Sequence, residues 1–276
     1  MKDLRFTAQR VWRNKRLWQT IRNVARSPRD MLLLLVLGPN DLWRLKLGRQ
    51  LMDDLTAFRT GTGDNPAQEG AAVIDAFHTL YFNRWPQTLE NTRWMGLSVL
   101  KCPLDLWVYQ EIIHETDPDF IIETGTYRGG SAMYFAGLCD LRNKGHVITI
   151  DAAEYVTLDH PRITQIVGNS VDDETVGRVR EIVGEMSALV SLDSDHERDH
   201  VLREMRAYSE LVPVGGYMVV EDTDLNGHPL PPAGEAPGPY EAVEQFVREN
   251  PSFEADVSRE KYMLTFNPTG WLRRIE

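Results

Sequence analysis

The strict alternation of short apolar strands with helices after residue 100 is the feature that most constrains how this chain folds. A helix is expected over residues 104–115, then apolar strands over 119–123, 146–151, 163–167, 188–192 and 216–221. Helices over 130–141, 173–184, 198–211 and 240–249 fall between and after them, and 261–266 is expected to return as an edge strand. Strands that read as near-continuous apolar runs, each followed by a helix, belong to a parallel sheet covered on both faces. In such a sheet ligands bind beyond the carboxyl ends of the strands, so the residues following each strand carry the functional information.

The first strand runs into Glu123-Thr-Gly125-Thr-Tyr-Arg-Gly129-Gly130-Ser131. Glycines here allow a sharp turn and a close backbone approach to a ligand before a helix starts. The spacing is E-x-G-x-x-x-G and not G-x-G-x-x-G, which argues against a nicotinamide dinucleotide. The second strand ends in Asp151, 28 residues after Glu123, where an acid commonly holds ribose hydroxyls and could equally cap a helix. Ser170 follows the third strand, and Asp172 and Asp173 have the character of helix caps. Asp193-Ser-Asp195-His196 follows the fourth strand, and Glu221-Asp222-Thr-Asp224 the fifth. Carboxylates converging past adjacent strand ends repel one another unless a cation lies between them. Hard oxygen donors without thiolates point to Mg²⁺. His196, three residues past Asp193, is the candidate base.

Charge is unevenly spread. Residues 1–50 hold 12 Lys/Arg and three Asp/Glu, a local net of +9, whereas the other 226 hold 18 and 38, a net of −20. An acidic bulk argues against nucleic-acid binding. Over residues 4–25 apolar side chains recur at helical spacing among Arg and Lys, as in a basic amphipathic helix; further helices are expected at 30–36, 41–58 and 71–84, with a turn-rich loop at 59–66. Residues 1–90 are thus expected to form a helical N-terminal region that packs on the main domain or touches an anionic membrane surface, and 91–276 the catalytic domain. Two cysteines, Cys102 and Cys139, suggest no disulfide framework, and with no run of about 18 to 20 apolar residues the expected location is the cytoplasm.

Several separated motifs carry a family resemblance: Trp94-x-Gly96, Lys101-x-Pro103-x-Asp105, Glu123-Thr-Gly-Thr, Gly129-Gly-Ser131, Leu192-Asp-Ser-Asp-His196 and Glu221-Asp-Thr223. From Trp94 to Arg274 the chain resembles the cephalosporin hydroxylase/rhamnosyl O-methyltransferase family of class I S-adenosylmethionine-dependent methyltransferases. The resemblance implies a Rossmann-like α/β sheet and an O-methyltransferase using S-adenosylmethionine (SAM) and Mg²⁺. By that likeness Glu123, Gly125, Thr126, Tyr127, Gly129 and Ser131 would line the methionine end of the cofactor, Asp151 would hold the ribose and Ser170 would lie near adenine. Asp193, where cofactor and metal meet, would ligate Mg²⁺ with Glu221 and Asp222, Asp195 being an alternative to Asp193. His196 would take a proton from one hydroxyl of a vicinal diol, whose oxygen then attacks the sulfonium methyl in line. The implied acceptor is a sugar hydroxyl of a glycosylated natural product, glycolipid or polysaccharide precursor, and the implied assembly a homo-oligomer. Two rivals are an O-methyltransferase of catechol-like molecules and a noncatalytic accessory protein with the same fold.

Overall fold

The computed structural model describes residues 66–230 and 237–276. The chain divides into two compact units, Met1–Leu80 and Tyr81–Glu276. The helices expected before residue 59 lie outside the described residues, as does the 59–66 loop except for Pro66. Pro66 opens helix α1 (Pro66–Phe82), five residues ahead of the expected start; its fixed φ and missing N–H suit the first turn of a helix.

The second unit begins with a small hairpin of β1 (Arg93–Trp94) and β2 (Leu97–Ser98), followed by α2 (Pro103–Thr116), β3 (Phe120–Thr124) and α3 (Gly130–Arg142). The chain continues through β4 (His146–Asp151), β5 (Ile163–Val167), α4 (Asp173–Val183), β6 (Ala188–Leu192) and α5 (Arg198–Tyr208). It closes with β7 (Tyr217–Val220), α6 (Pro239–Glu249), β8 (Phe253–Ala255) and β9 (Trp271–Arg274). The main sheet has the order β5-β4-β3-β6-β7-β9-β8, with β3 to β7 parallel and β9 antiparallel to both neighbours. This is the doubly wound α/β sheet expected, with the strand order reversing between β3 and β6.

Side-chain parity divides the core. Ile122, Ile148, Ile150, Val190, Leu192, Met218 and Val220 pack beneath α4, α5 and α6. Their chain neighbours Ile121, Val147, Leu189 and Val219 pack on the other face against α2 and α3. Successive residues of a strand point to opposite faces, so continuous apolar runs fill both layers.

The segment 261–266 is not a strand. Leu264 and Phe266 turn into a satellite cluster with Leu89 and Cys102. The Phe266 N–H donates to the buried Asp105 carboxylate at 2.8 Å, and its carbonyl accepts from the Asp224 N–H. With those backbone groups engaged elsewhere, β8 and β9 supply the antiparallel edge.

Helix α3 starts where backbone meets backbone: a Cβ on Gly130 would stand 2.0 Å from the Ser98 carbonyl oxygen. Gly130→Ala should therefore lower unfolding stability by about 1–3 kcal/mol, the usual cost of overpacking, read as a fall in urea midpoint at unchanged slope.

Candidate active site

The strand register brings the loops of the site to one level. Thr124 of β3 pairs with Leu192 of β6, which pairs with Val220 of β7. One step further on, the Asp193 N–H donates to the Thr124 carbonyl at 3.1 Å and the Glu221 N–H to the Leu192 carbonyl at 3.0 Å. The loops after β3, β6 and β7 therefore leave side by side, around a cavity of about 330 Å³.

One wall of that cavity is the glycine turn, including Gly125, Thr126, Tyr127, Gly129 and Ser131. Gly125 has φ +94°, and a Cβ there would lie 2.0 Å from the Asp193 carbonyl oxygen. Only glycine fits so close to the neighbouring strand end. Tyr127 sits at φ 42°, and its N–H donates to Asp151 Oδ2 at 2.8 Å. Asp151 thereby anchors the turn to β4 while opening on the cavity, and a carboxylate has spare lone pairs for further donors.

Asp193, His196 and Asp222 line the same cavity. His196 Nε2 lies 2.8 Å from Asp222 Oδ2 and 3.8 Å from Asp193 Oδ1. One ligand atom from each of the three falls within 4.8 Å of the others, a spacing that suits a single cation. Burial works against charge on His196, but the hydrogen bonds and charges of Asp193 and Asp222 outweigh it and push the imidazole up to about 11. Two carboxylates in this arrangement call for positive charge.

Beneath them lies a buried polar layer that the sequence reading did not find. Lys101, 3% exposed, donates to Asp193 Oδ2 at 2.7 Å and Glu221 Oε1 at 2.6 Å. Burial opposes its charge, yet the two carboxylates keep it firmly protonated. The same Glu221 oxygen also accepts from Tyr109 Oη and Ser191 Oγ, each at 2.7 Å. Burial raises the Glu221 carboxyl while Lys101 pulls it down; in Asp193 the Lys101 and His196 contacts overcome burial and lower it. The signals for Lys101 were a lone cation in an apolar stretch and its place in the Lys101-x-Pro103-x-Asp105 motif, neither of which assigned it a partner.

Three expected site residues sit elsewhere than the resemblance implied. Glu221 is buried and outside the cavity lining and the Asp193–His196–Asp222 group; it continues the parity of β7 onto the α2 side, where its Oε1 shares the Lys101 ammonium with Asp193. Asp222, at φ 56°, turns into the cavity instead. Glu123 lies beneath the cavity and not in its lining, fully buried with Oε2 accepting from Thr149 Oγ1 at 2.8 Å. Its Oε1 has no hydrogen-bond partner, and burial pushes the carboxyl up to about 7. Ser170 is turned from the cavity toward α5, with Oγ 3.1 Å from His200 Nε2 and its carbonyl accepting from Tyr208 Oη. Asp195 is outside the cation-sized group, its Oδ1 accepting from the Glu197 N–H at the start of α5.

Comparison with known proteins decides the family. The family description "Rhamnosyl O-methyltransferase/CmcI" matches residues 86–275. The chain belongs to this family. It is accordingly an S-adenosylmethionine-dependent O-methyltransferase. The Rhamnosyl O-methyltransferase of Mycobacterium tuberculosis H37Rv is 37% identical over 215 residues, covering 74% of this chain and 85% of that protein. The protein of the same name in Mycobacterium leprae is 37% identical over 212 residues, 74% of this chain and 91% of the relative. A solved structure of CmcI with Mg and SAM has a TM-score of 0.50 at 22% identity, over 70% of this chain and 84% of that one, a likeness of fold.

The two neighbouring acids, Glu221 and Asp222, should behave differently on substitution. Glu221→Ala leaves Lys101 buried with half its partners and should cost about 3–5 kcal/mol of stability. Asp222→Asn, at the cavity surface with a residue tolerant of φ > 0, should cost less than about 1 kcal/mol. Urea unfolding of both variants measures the difference; equal losses would contradict the inward placement of Glu221.

Proposed function

We propose that this chain methylates a hydroxyl of a sugar, using SAM and a divalent cation, with Mg²⁺ as the natural choice. The observation that carries the reading is that the glycine turn with Asp151 and the Asp193–His196–Asp222 group line one cavity. The donor set fits a hard cation: the carboxylate oxygens of Asp193 and Asp222, with His196 beside them and no thiolate in the group. The turn fits the cofactor, since its backbone can approach closely and Asp151 keeps acceptor capacity toward a diol. The relatives named Rhamnosyl O-methyltransferase support a saccharide acceptor, and a cation site suits vicinal hydroxyls.

In this reading Asp193 and Asp222 hold the cation from the cavity side, with Glu221 and Lys101 fixing Asp193 from below. When bound, Mg²⁺ supplies the positive charge that acidifies and orients the hydroxyl, and SAM supplies the methyl group. His196, beside both carboxylates, would take the hydroxyl proton at Nε2. The glycine turn and Asp151 would hold the methyl donor, whose methyl would pass to the acceptor oxygen and leave S-adenosylhomocysteine. Positioning of this kind is worth on the order of 7–11 kcal/mol of barrier.

The test is methyl transfer from SAM to a panel of rhamnosides, mannosides and simple catechols, with Mg²⁺ and with EDTA. A sugar product that disappears with EDTA and returns with Mg²⁺ is expected; transfer to catechols alone would replace the saccharide reading. His196→Ala should lower kcat by about 10²–10⁴-fold, the range for loss of a general base. Calorimetric titration should give SAM and S-adenosylhomocysteine the same affinity for that variant as for the parent. An unchanged kcat would place the base elsewhere.

A further inference from the structure

Two aromatic groups line the cavity, and they are held by different parts of the fold. Tyr127 and Tyr155 pair edge to face with ring centroids 5.7 Å apart, and the Tyr127 N–H donates to Asp151. Trp85 belongs to another neighbourhood. Its ring meets Phe82 edge to face at 5.7 Å and packs against the satellite cluster of Leu89, Cys102, Leu264 and Phe266. That cluster is joined to the acids by two routes. Cys102 follows Lys101, whose ammonium meets Asp193. Phe266 and Asn267 support the loop after β7, the Phe266 carbonyl accepting from the Asp224 N–H and Asn267 Oδ1 from the Asp222 N–H. Trp85 is thus held by the segments that fix Asp193 and Asp222, whereas the tyrosine pair is held by those that fix Asp151.

Leu100, immediately before Lys101, lines the same cavity. Trp85 and Leu100 are both half-buried, so the cavity keeps apolar surface open beside an acidic group. Neither side chain can serve a cation, since the indole has one donor and no acceptor and the leucine has neither. Apolar surface left open in a pocket is stabilised when a ligand covers it. A pyranoside carries the two kinds of surface this cavity offers. Its hydroxyls lie along the rim of the ring, and its axial C–H bonds give one face an apolar character. An indole is apolar on its face and polar at its N–H, which suits a ring that is apolar on one side and wet at its edge.

We propose that Trp85 and Leu100 form the acceptor-recognition surface of the cavity: the C–H face of a pyranoside ring stacks on the indole, and its vicinal hydroxyls are presented to the Asp193–His196–Asp222 group. This inference rests on the saccharide-acceptor reading of the site and names the residues that hold the ring. The choice of acceptor is then set by Trp85 and Leu100, while the glycine turn and Asp151 serve the methyl donor.

The experiment is calorimetric titration of methyl α-L-rhamnopyranoside and methyl α-D-mannopyranoside into the full chain loaded with S-adenosylhomocysteine and Mg²⁺. The parent is compared with Trp85→Ala, Trp85→Phe and Leu100→Ala, and S-adenosylhomocysteine affinity is measured for each. Trp85→Ala should bind the glycosides on the order of tenfold more weakly, and Trp85→Phe, which keeps an aromatic face, within about threefold of the parent. S-adenosylhomocysteine affinity should be the same in all four proteins. Unchanged glycoside affinity in folded Trp85→Ala overturns the proposal. So does a parallel loss of S-adenosylhomocysteine affinity, which would give Trp85 a cofactor-side or merely structural role. Leu100→Ala tests the same surface if Trp85→Ala does not fold: it should weaken the glycosides roughly threefold, and an unchanged affinity overturns the proposal. A parent that binds S-adenosylhomocysteine and neither glycoside would refute the saccharide reading itself, an outcome distinct from the others.

Discussion

The site depends on a buried ammonium placed between two carboxylates. Removing Lys101, Asp193 and Glu221 from water is costly, and the ammonium offsets part of that cost by meeting both carboxylates at 2.6–2.7 Å. This arrangement ties the segment ahead of α2 to the ends of two different strands. The loops after β6 and β7 therefore cannot move independently of one another without exposing or isolating a charge. Tyr109 and Ser191 extend the constraint into α2 and the middle of the sheet.

Above that layer the cavity is shaped by backbone proximity. Gly125 approaches the Asp193 carbonyl so closely that no side chain fits, and Gly130 does the same at the Ser98 carbonyl. The approach at Gly125 brings the glycine turn against the end of β6, where Asp193 sits. Asp151 completes the join by accepting the Tyr127 N–H across from β4. The spacing between the glycine turn and Asp193 is thus set by contacts among main-chain atoms, which are the least compliant parts of a protein.

Much of this was legible in the chain. The five parallel strands follow from apolar runs separated by helices, and the glycine turn and the acids after β4, β6 and β7 fall where such a sheet binds ligands. Parity was harder to use. Glu221 and Asp222 are consecutive, and which of them faces the cavity depends on where β7 ends and on the left-handed backbone at Asp222. Glu123 similarly follows the parity of β3 onto the α2 face, where Thr149 holds it. The expected strand at 261–266 failed for a tertiary reason, since Asp105, 161 residues away, accepts the Phe266 N–H that a ladder would have needed.

By itself the sequence determined the class of sheet, the order of its strands and helices, the glycine turn after β3 and the three loops that carry the acids. Those features arise from local patterns: hydrophobic period, glycine placement and residues at strand ends. Only the tertiary structure decided which oxygens face which way. Lys101 lies 92 residues before Asp193 and 120 before Glu221, and the motif it belongs to does not say which carboxylates it meets. Its role exists because the fold excludes water around it, and a charge without water must find its partners wherever the chain brings them.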